Sequence, residues 1–123
     1  VRNPDGRRLR AVLVPHMDYG RGGVTYGWGF KELAERTDAR LFVIVATSHY
    51  SAERFTLTRM NFATPLGVAE TDQRYVDALV KHYGDGVFDD PFAHLPEHSV
   101  ELEVALLQHV FADRPVRIVP LLC

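Results

Sequence analysis

Leu41-Phe42-Val43-Ile44-Val45-Ala46 is an unbroken apolar run, rich in branched side chains, that stops at Thr47-Ser48-His49. Six such residues between polar flanks predict a strand buried on both faces, the kind found in parallel sheets. Upstream, Ala11-Val12-Leu13-Val14, closed by Pro15, is a shorter run of the same kind and predicts another buried strand. Gly20, Gly22 and Gly23 mark a loop. From about Val24 to Arg36 the chain has helical periodicity, with Tyr26, Phe30 and Leu33 on one face and Lys31, Glu32 and Glu35 on the other. Strand, helix, strand in this order predicts a βαβ unit with a parallel pair and a right-handed crossover. Gly27 and Gly29 weaken the helix, so their role is close packing against a strand.

Downstream, Phe55–Thr58 predicts a short strand and Thr64-Pro65-Leu66-Gly67 a turn. Asp72 to Tyr83 is helical, with Tyr75, Leu79 and Tyr83 at four-residue spacing and Thr71 or Asp72 as cap. Glu97 to Phe111 is the longest helical pattern, striped by Val100, Val104, Leu107 and Phe111, and Val116–Leu122 is a last strand. With no repeat, low-complexity tract or linker, residues 1–123 form one α/β domain.

Composition narrows the function. A 46% hydrophobic content suits a globular protein, and a net charge of −2 with mixed signs argues against nucleic acid or an anionic membrane as partner. Arg2, Arg7, Arg8 and Arg10 cluster near the start and read as a solvated arm rather than a phosphate site. The longest apolar runs are far too short to span a bilayer, and the polar, charged first residues do not read as a secretory signal, which leaves open one already removed. Cys123 is the single cysteine, so no internal disulfide is possible, which fits a reducing cytoplasm. The chain begins at Val1 and stops directly after an apolar run, so both ends look cut.

Histidines carry the chemistry. His16 directly follows the first predicted strand and His49 comes three residues after the second. Parallel strands would bring both imidazoles to the carboxyl edge of the sheet, where open α/β folds bind ligands, and neutral imidazole suits Fe, Cu and Zn. Two unrelated loop histidines would fit the same placement. Asp18 lies two residues beyond His16, either to orient that ring or as a plain loop aspartate. In His94-Leu95-Pro96-Glu97-His98-Ser99-Val100-Glu101, Pro96 marks a helix start and argues against a metal site with His94 and His98 on one helix. Glu97 and Glu101 are then an acidic helix start that suits the macrodipole, or polar groups facing a site. No GxSxG elbow, GxxxxGK[ST] loop or GxGxxG fingerprint is present.

Val14-Pro15-His16-Met17-Asp18-Tyr19 with Arg21-Gly22-Gly23, Phe42–Ala46 with Thr47-Ser48-His49, Thr64-Pro65-Leu66-Gly67 with Asp72, Glu97-His98-Ser99-Val100-Glu101, Leu107-Gln108 and Ile118-Val119-Pro120 run in the order of the Memo family, which the chain resembles over nearly its whole length. That family includes the B component of AmmeMemoRadiSam systems and is related to LigB-type class III extradiol dioxygenases. The resemblance implies a three-layer α/β/α sandwich, incomplete here at the carboxyl end. It implies a site like that of non-heme iron dioxygenases, with Fe(II) or Cu on His16 and His49, His98 as acid/base residue, and Asp18, Tyr19, Glu97 and Glu101 supporting metal or substrate. It also implies an oxidoreductase-like activity, with an AMMECR-like protein and a radical SAM enzyme as partners. A peptide-binding protein or a metal carrier on the same scaffold is the alternative. Departures are Met17-Asp18 where the family commonly has Ala-Gly, Glu103 in place of a Gln, and Ala105 near a usual Pro. Family members are about twice as long, and their third site residue, often a cysteine, lies beyond residue 123. Cys123 aligns with the end of a strand instead.

Overall fold

The computed structural model describes residues 5–123, so Arg2 of the arginine cluster lies outside the described residues, while Arg7, Arg8 and Arg10 are exposed. The apolar run forms β1 (Leu41–Ala46), and the last strand is β5 (Arg117–Leu122). They pair in parallel, from Leu41 opposite Arg117 to Ala46 opposite Leu122. Between them in sequence lie β2 (Thr56–Leu57), β3 (Phe62–Thr64) and β4 (Gly67–Thr71). β3 and β4 form an antiparallel hairpin closed by the predicted turn, with Gly67 at φ 121° where a side chain would be strained. β4 runs parallel to the start of β5, and β2 runs antiparallel to its end. β5 is therefore central. Pro120 is tolerated there because it faces the gap between β4, which pairs only with residues 117 and 118, and β2, which pairs with 121 and 122.

Alternation along β5 sorts the helices into layers. Ile118 and Leu122 enter a core with Tyr26, Phe30 and Leu33 of α1 (Tyr19–Arg36) and Val100, Val104 and Leu107 of α3 (Ser99–Val110). Val119 and Leu121 point the other way, to Leu57 and to Val76, Leu79 and Val80 of α2 (Gln73–Tyr83). With period-two side chains on a central strand, helices must cover both faces. The result is the expected α/β/α arrangement. Short 3₁₀ turns at Asp85–Phe88 and Pro91–His94 link α2 to α3. No helix among the described residues is long and apolar enough to cross a membrane.

Three expectations are corrected. First, α1 starts at Tyr19, so Gly20, Gly22 and Gly23 lie in its first turns and not in a loop. The Asp18 carboxylate caps it, Oδ1 accepting from Arg21 N at 3.0 Å, and such a cap is worth about 1 kcal/mol against the similar cost of a helical glycine. Gly22 also has a packing reason, since a Cβ there would come within 2.9 Å of Met17 Cγ.

Second, Ala11–Val14 is not a strand. It has no ladder partner, and Leu13 is 96% exposed. What holds this segment is α1: Leu9 N–H donates to Arg36 O, and Gly29 admits Val14 so closely that a Cβ would lie 2.4 Å from Val14 Cγ1. The βαβ unit predicted from residues 11–46 is absent, and the parallel pairs are β1–β5 and β4–β5. Third, α2 buries Val76, while Tyr75 and Tyr83 of the predicted apolar face are exposed.

Candidate metal centre

Three imidazoles converge at the carboxyl end of β1. The His16 and His49 ring centroids are 5.2 Å apart, His49 and His98 5.0 Å, and His16 and His98 6.0 Å. His16 arrives on the segment seated against α1. His49 arrives on a loop held by backbone pairing that continues past the strands: Cys123 N–H donates to Ala46 O, and Ser48 N–H to Cys123 O. α3 is drawn to that loop by Ser99, whose buried hydroxyl donates to Thr47 O at 2.8 Å. This tie places Glu97 and His98, at the entrance to α3, against His49.

Glu97 organises the centre. It is 4% exposed, and its carboxylate is almost surrounded by donors. Oε2 accepts from His49 N–H at 2.8 Å, and Oε1 accepts from the N–H groups of His98 (3.0 Å) and Ser99 (3.2 Å). His49 Nδ1 lies 2.9 Å from Oε1 and 3.1 Å from Oε2. Burial pushes this carboxyl up, but the hydrogen bonds from His49, the Ser99 N–H and the nearby imidazole outweigh it and bring the pKa down to about 2. An ionised carboxylate only accepts, so Nδ1 of His49 is the donor in this pair and Nε2 is the ring nitrogen outside it.

Ligand atoms of His49, Glu97 and His98 all lie within 4.8 Å of one another, which is metal-binding spacing. Glu97, however, has its oxygens committed to backbone and ring donors, so the free donors are the imidazoles. The His49 and His98 side chains are 38% and 49% exposed, so the cluster opens to solvent.

The remaining predicted residues fall around this cluster or away from it. Asp18 gives both oxygens to Arg21, one to the backbone N–H and one to the guanidinium. Tyr19 donates its hydroxyl to Leu102 O at 2.7 Å, tying the start of α1 to α3. Glu101 is exposed in the first turn of α3. His94 is buried, its Nε2 donating to Thr56 O at 3.1 Å, a structural use. Sequence reasoning left one residue without a role: Glu103 is buried in α3, and its Oε2 has no partner. Its only sequence signal is a carboxyl where the family pattern has an amide.

The fold and this cluster define an α/β/α protein with an imidazole centre at the carboxyl edge of a parallel strand pair. More narrowly, the chain belongs to the Memo family: the Memo-like protein model matches residues 2–123. It is similar to a MEMO1 family protein of Pyrobaculum arsenaticum, 33% identical over 118 residues, covering 94% of this chain and 41% of the relative. A MEMO1 family protein of Pyrobaculum aerophilum is 34% identical over 111 residues, 89% of this chain and 38% of the relative. One of Thermotoga petrophila is 32% identical over 126 residues, 97% of this chain and 44% of the relative. The chain thus spans about two-fifths of the length of these curated relatives.

Proposed function

We propose that His16 and His49 hold a metal ion, Fe(II) or Cu, in a site of the non-heme iron dioxygenase type, with His98 beside it as the proton-handling residue. The observation that carries this reading is the convergence of the three rings. Imidazoles sharing one ion through metal–nitrogen bonds of about 2 Å have centroids about 5 Å apart, and the rings at 16 and 49 stand at 5.2 Å. The Glu97–His49 pair adds the support that metal-ligating histidines ordinarily have, a carboxylate that sets the tautomer and orients the ring.

Bound there, such an ion would supply open coordination positions for redox chemistry on an oxygen-containing substrate. The chain's own groups do the rest. Glu97 fixes the Nδ1 proton of His49 and orients the ring, and His98 presents a solvent-accessible imidazole with its centroid 5.0 Å from that of His49, the side chain proposed to hand on protons.

A metal carrier is the second reading. The donors left free in the ring cluster are imidazoles, since the Glu97 carboxylate is committed to its hydrogen bonds, and such a set suits copper. A peptide-binding role on the same scaffold is the third. Anaerobic titration with Fe(II) and with Cu(I), read by chelator competition, tests all three. Stoichiometric binding that a His16→Ala, His49→Ala double variant loses is expected. Binding equal in the double variant, or none at all, overturns both metal readings and leaves peptide binding. Binding without O₂ uptake on catechol-like substrates selects the carrier. As partners we propose an AMMECR-like protein and a radical SAM enzyme, supported by family membership alone and tested by co-purification. The reducing cytoplasm is the proposed compartment, supported by the free Cys123.

A further inference from the structure

A cavity of about 420 Å³ separates β1 from the extended segment that leads to His16. Its volume is that of a small-molecule site. Val14, Phe30, Leu33, Ile44 and Leu107 give it apolar walls, and Glu103 is the carboxyl among its lining residues. Glu103 is 8% exposed, and its Oε2 is wholly buried with no hydrogen-bond partner. A buried, unpaired carboxyl is costly and calls for a counterpart.

Among the described residues none is supplied: Arg10 also lines the cavity but makes no ion pair with Glu103, whose Oε2 stays unpartnered. The Ser99 hydroxyl, on the same wall, gives its proton to Thr47 O. Tyr19 and Tyr26 lie close enough to feel the Glu103 charge, yet their hydroxyl protons go to Leu102 O and Met17 O. Each hydroxyl has a single proton to give. No salt bridge to Glu103 is present among the described residues.

We infer that Glu103 anchors a binding subsite for a small organic amine, taken as its ammonium, with the alkyl part in the apolar cavity beside β1. An ammonium brings donors and the opposite charge together, the strongest pairing open to a buried carboxylate, whereas an anionic ligand would be repelled. His16 lines the same cavity, so a bound amine lies beside the imidazole cluster. The subsite itself does not depend on the metal reading, and its test uses the metal-free chain, so the two can fail separately.

The test is a titration of the ¹⁵N-labelled 123-residue chain, without metal at pH 8, with n-butylammonium and separately with n-butanol, followed by amide shifts around Val14, Phe30 and Ile44. Butylammonium should bind at least tenfold tighter than butanol, and Glu103→Gln should abolish that preference. Should the variant not fold, the ratio in the unmodified chain decides alone. Equal affinity for the two compounds, shifts elsewhere, no shifts, or a preference that survives in a folded Glu103→Gln protein overturns the subsite.

Discussion

Glu97 holds His49 by two independent handles, its carboxylate accepting from the backbone N–H at 2.8 Å and facing the ring Nδ1 at 2.9 Å. The pair is 48 residues apart in sequence, and it joins the loop after β1 to the entrance of α3. Glu97→Gln leaves an acceptor oxygen but removes the charge and sets an amide N–H against these donors. Metal affinity should fall about 10- to 100-fold, the usual effect of losing a residue that orients a ligand. Chelator competition on the variant reads this directly. Affinity within twofold of the unmodified chain would show that Glu97 serves only the fold.

The same carboxylate gives the protein an acid limit. Its folded pKa is depressed from 4.5 to about 2, so the native state binds fewer protons than the unfolded chain in that interval. The stability it contributes is complete above about pH 4.5 and is lost as pH falls toward 2. Thermal unfolding followed by circular dichroism should therefore show a midpoint that drops across this window. Glu97→Gln should flatten the drop there while lowering the midpoint at neutral pH.

Glu103 has the opposite sign. Burial raises its pKa from 4.5 to about 7, so the folded state holds a proton that the unfolded chain has released. Stability then declines as pH rises from 4.5 to 7 and is level above it. Glu103→Gln should be the more stable protein at pH 8, with the difference shrinking to nothing near pH 4.5. A gain that persists unchanged at low pH would point to repacking instead of proton linkage.

Two glycines two residues apart on α1 should respond in opposite directions to the same change. Gly29→Ala puts a Cβ 2.4 Å from Val14 Cγ1, and overpacking of this kind costs about 1–3 kcal/mol. The displaced Val14 is two residues from His16, so metal affinity should weaken as well. A Cβ at Gly27 meets nothing within 4 Å, and Gly27→Ala should stabilise the helix by up to about 1 kcal/mol. Urea unfolding of the two variants checks both signs.

Tyr19→Phe removes the one side-chain hydrogen bond that ties the first residue of α1 to α3. The loss should be roughly 0.5–1.5 kcal/mol, at the lower end because Tyr19 is partly exposed and water can serve Leu102 O. A loss of metal affinity out of proportion to that cost would give Tyr19 a direct place in the centre.

Local patterning carried much of this protein. The run 41–46 was legible as a strand, although Val43 and Val45 are exposed where burial on both faces was expected. The Val100 to Phe111 stripe could only be the apolar face of a helix, and the histidines at 16 and 49 were placed by the ends of apolar runs. Where reading from sequence failed, a distant partner outweighed local preference. The glycines at 20, 22 and 23 are poor helix formers, yet Asp18 caps them into α1 and Tyr26, Phe30 and Leu33 anchor it to the core. Ala11–Val14 has the composition of a strand, but a strand exists only where backbone finds backbone, and here side-chain packing on Gly29 holds the segment instead. The sequence by itself determined most of the apolar elements, their order and which side chains offer imidazole or carboxylate donor atoms, because these follow from side-chain chemistry and spacing. Tertiary structure alone decided that Glu97 pairs with His49, that β5 is central and that Glu103 is left without a donor, because each depends on groups brought together from remote parts of the chain.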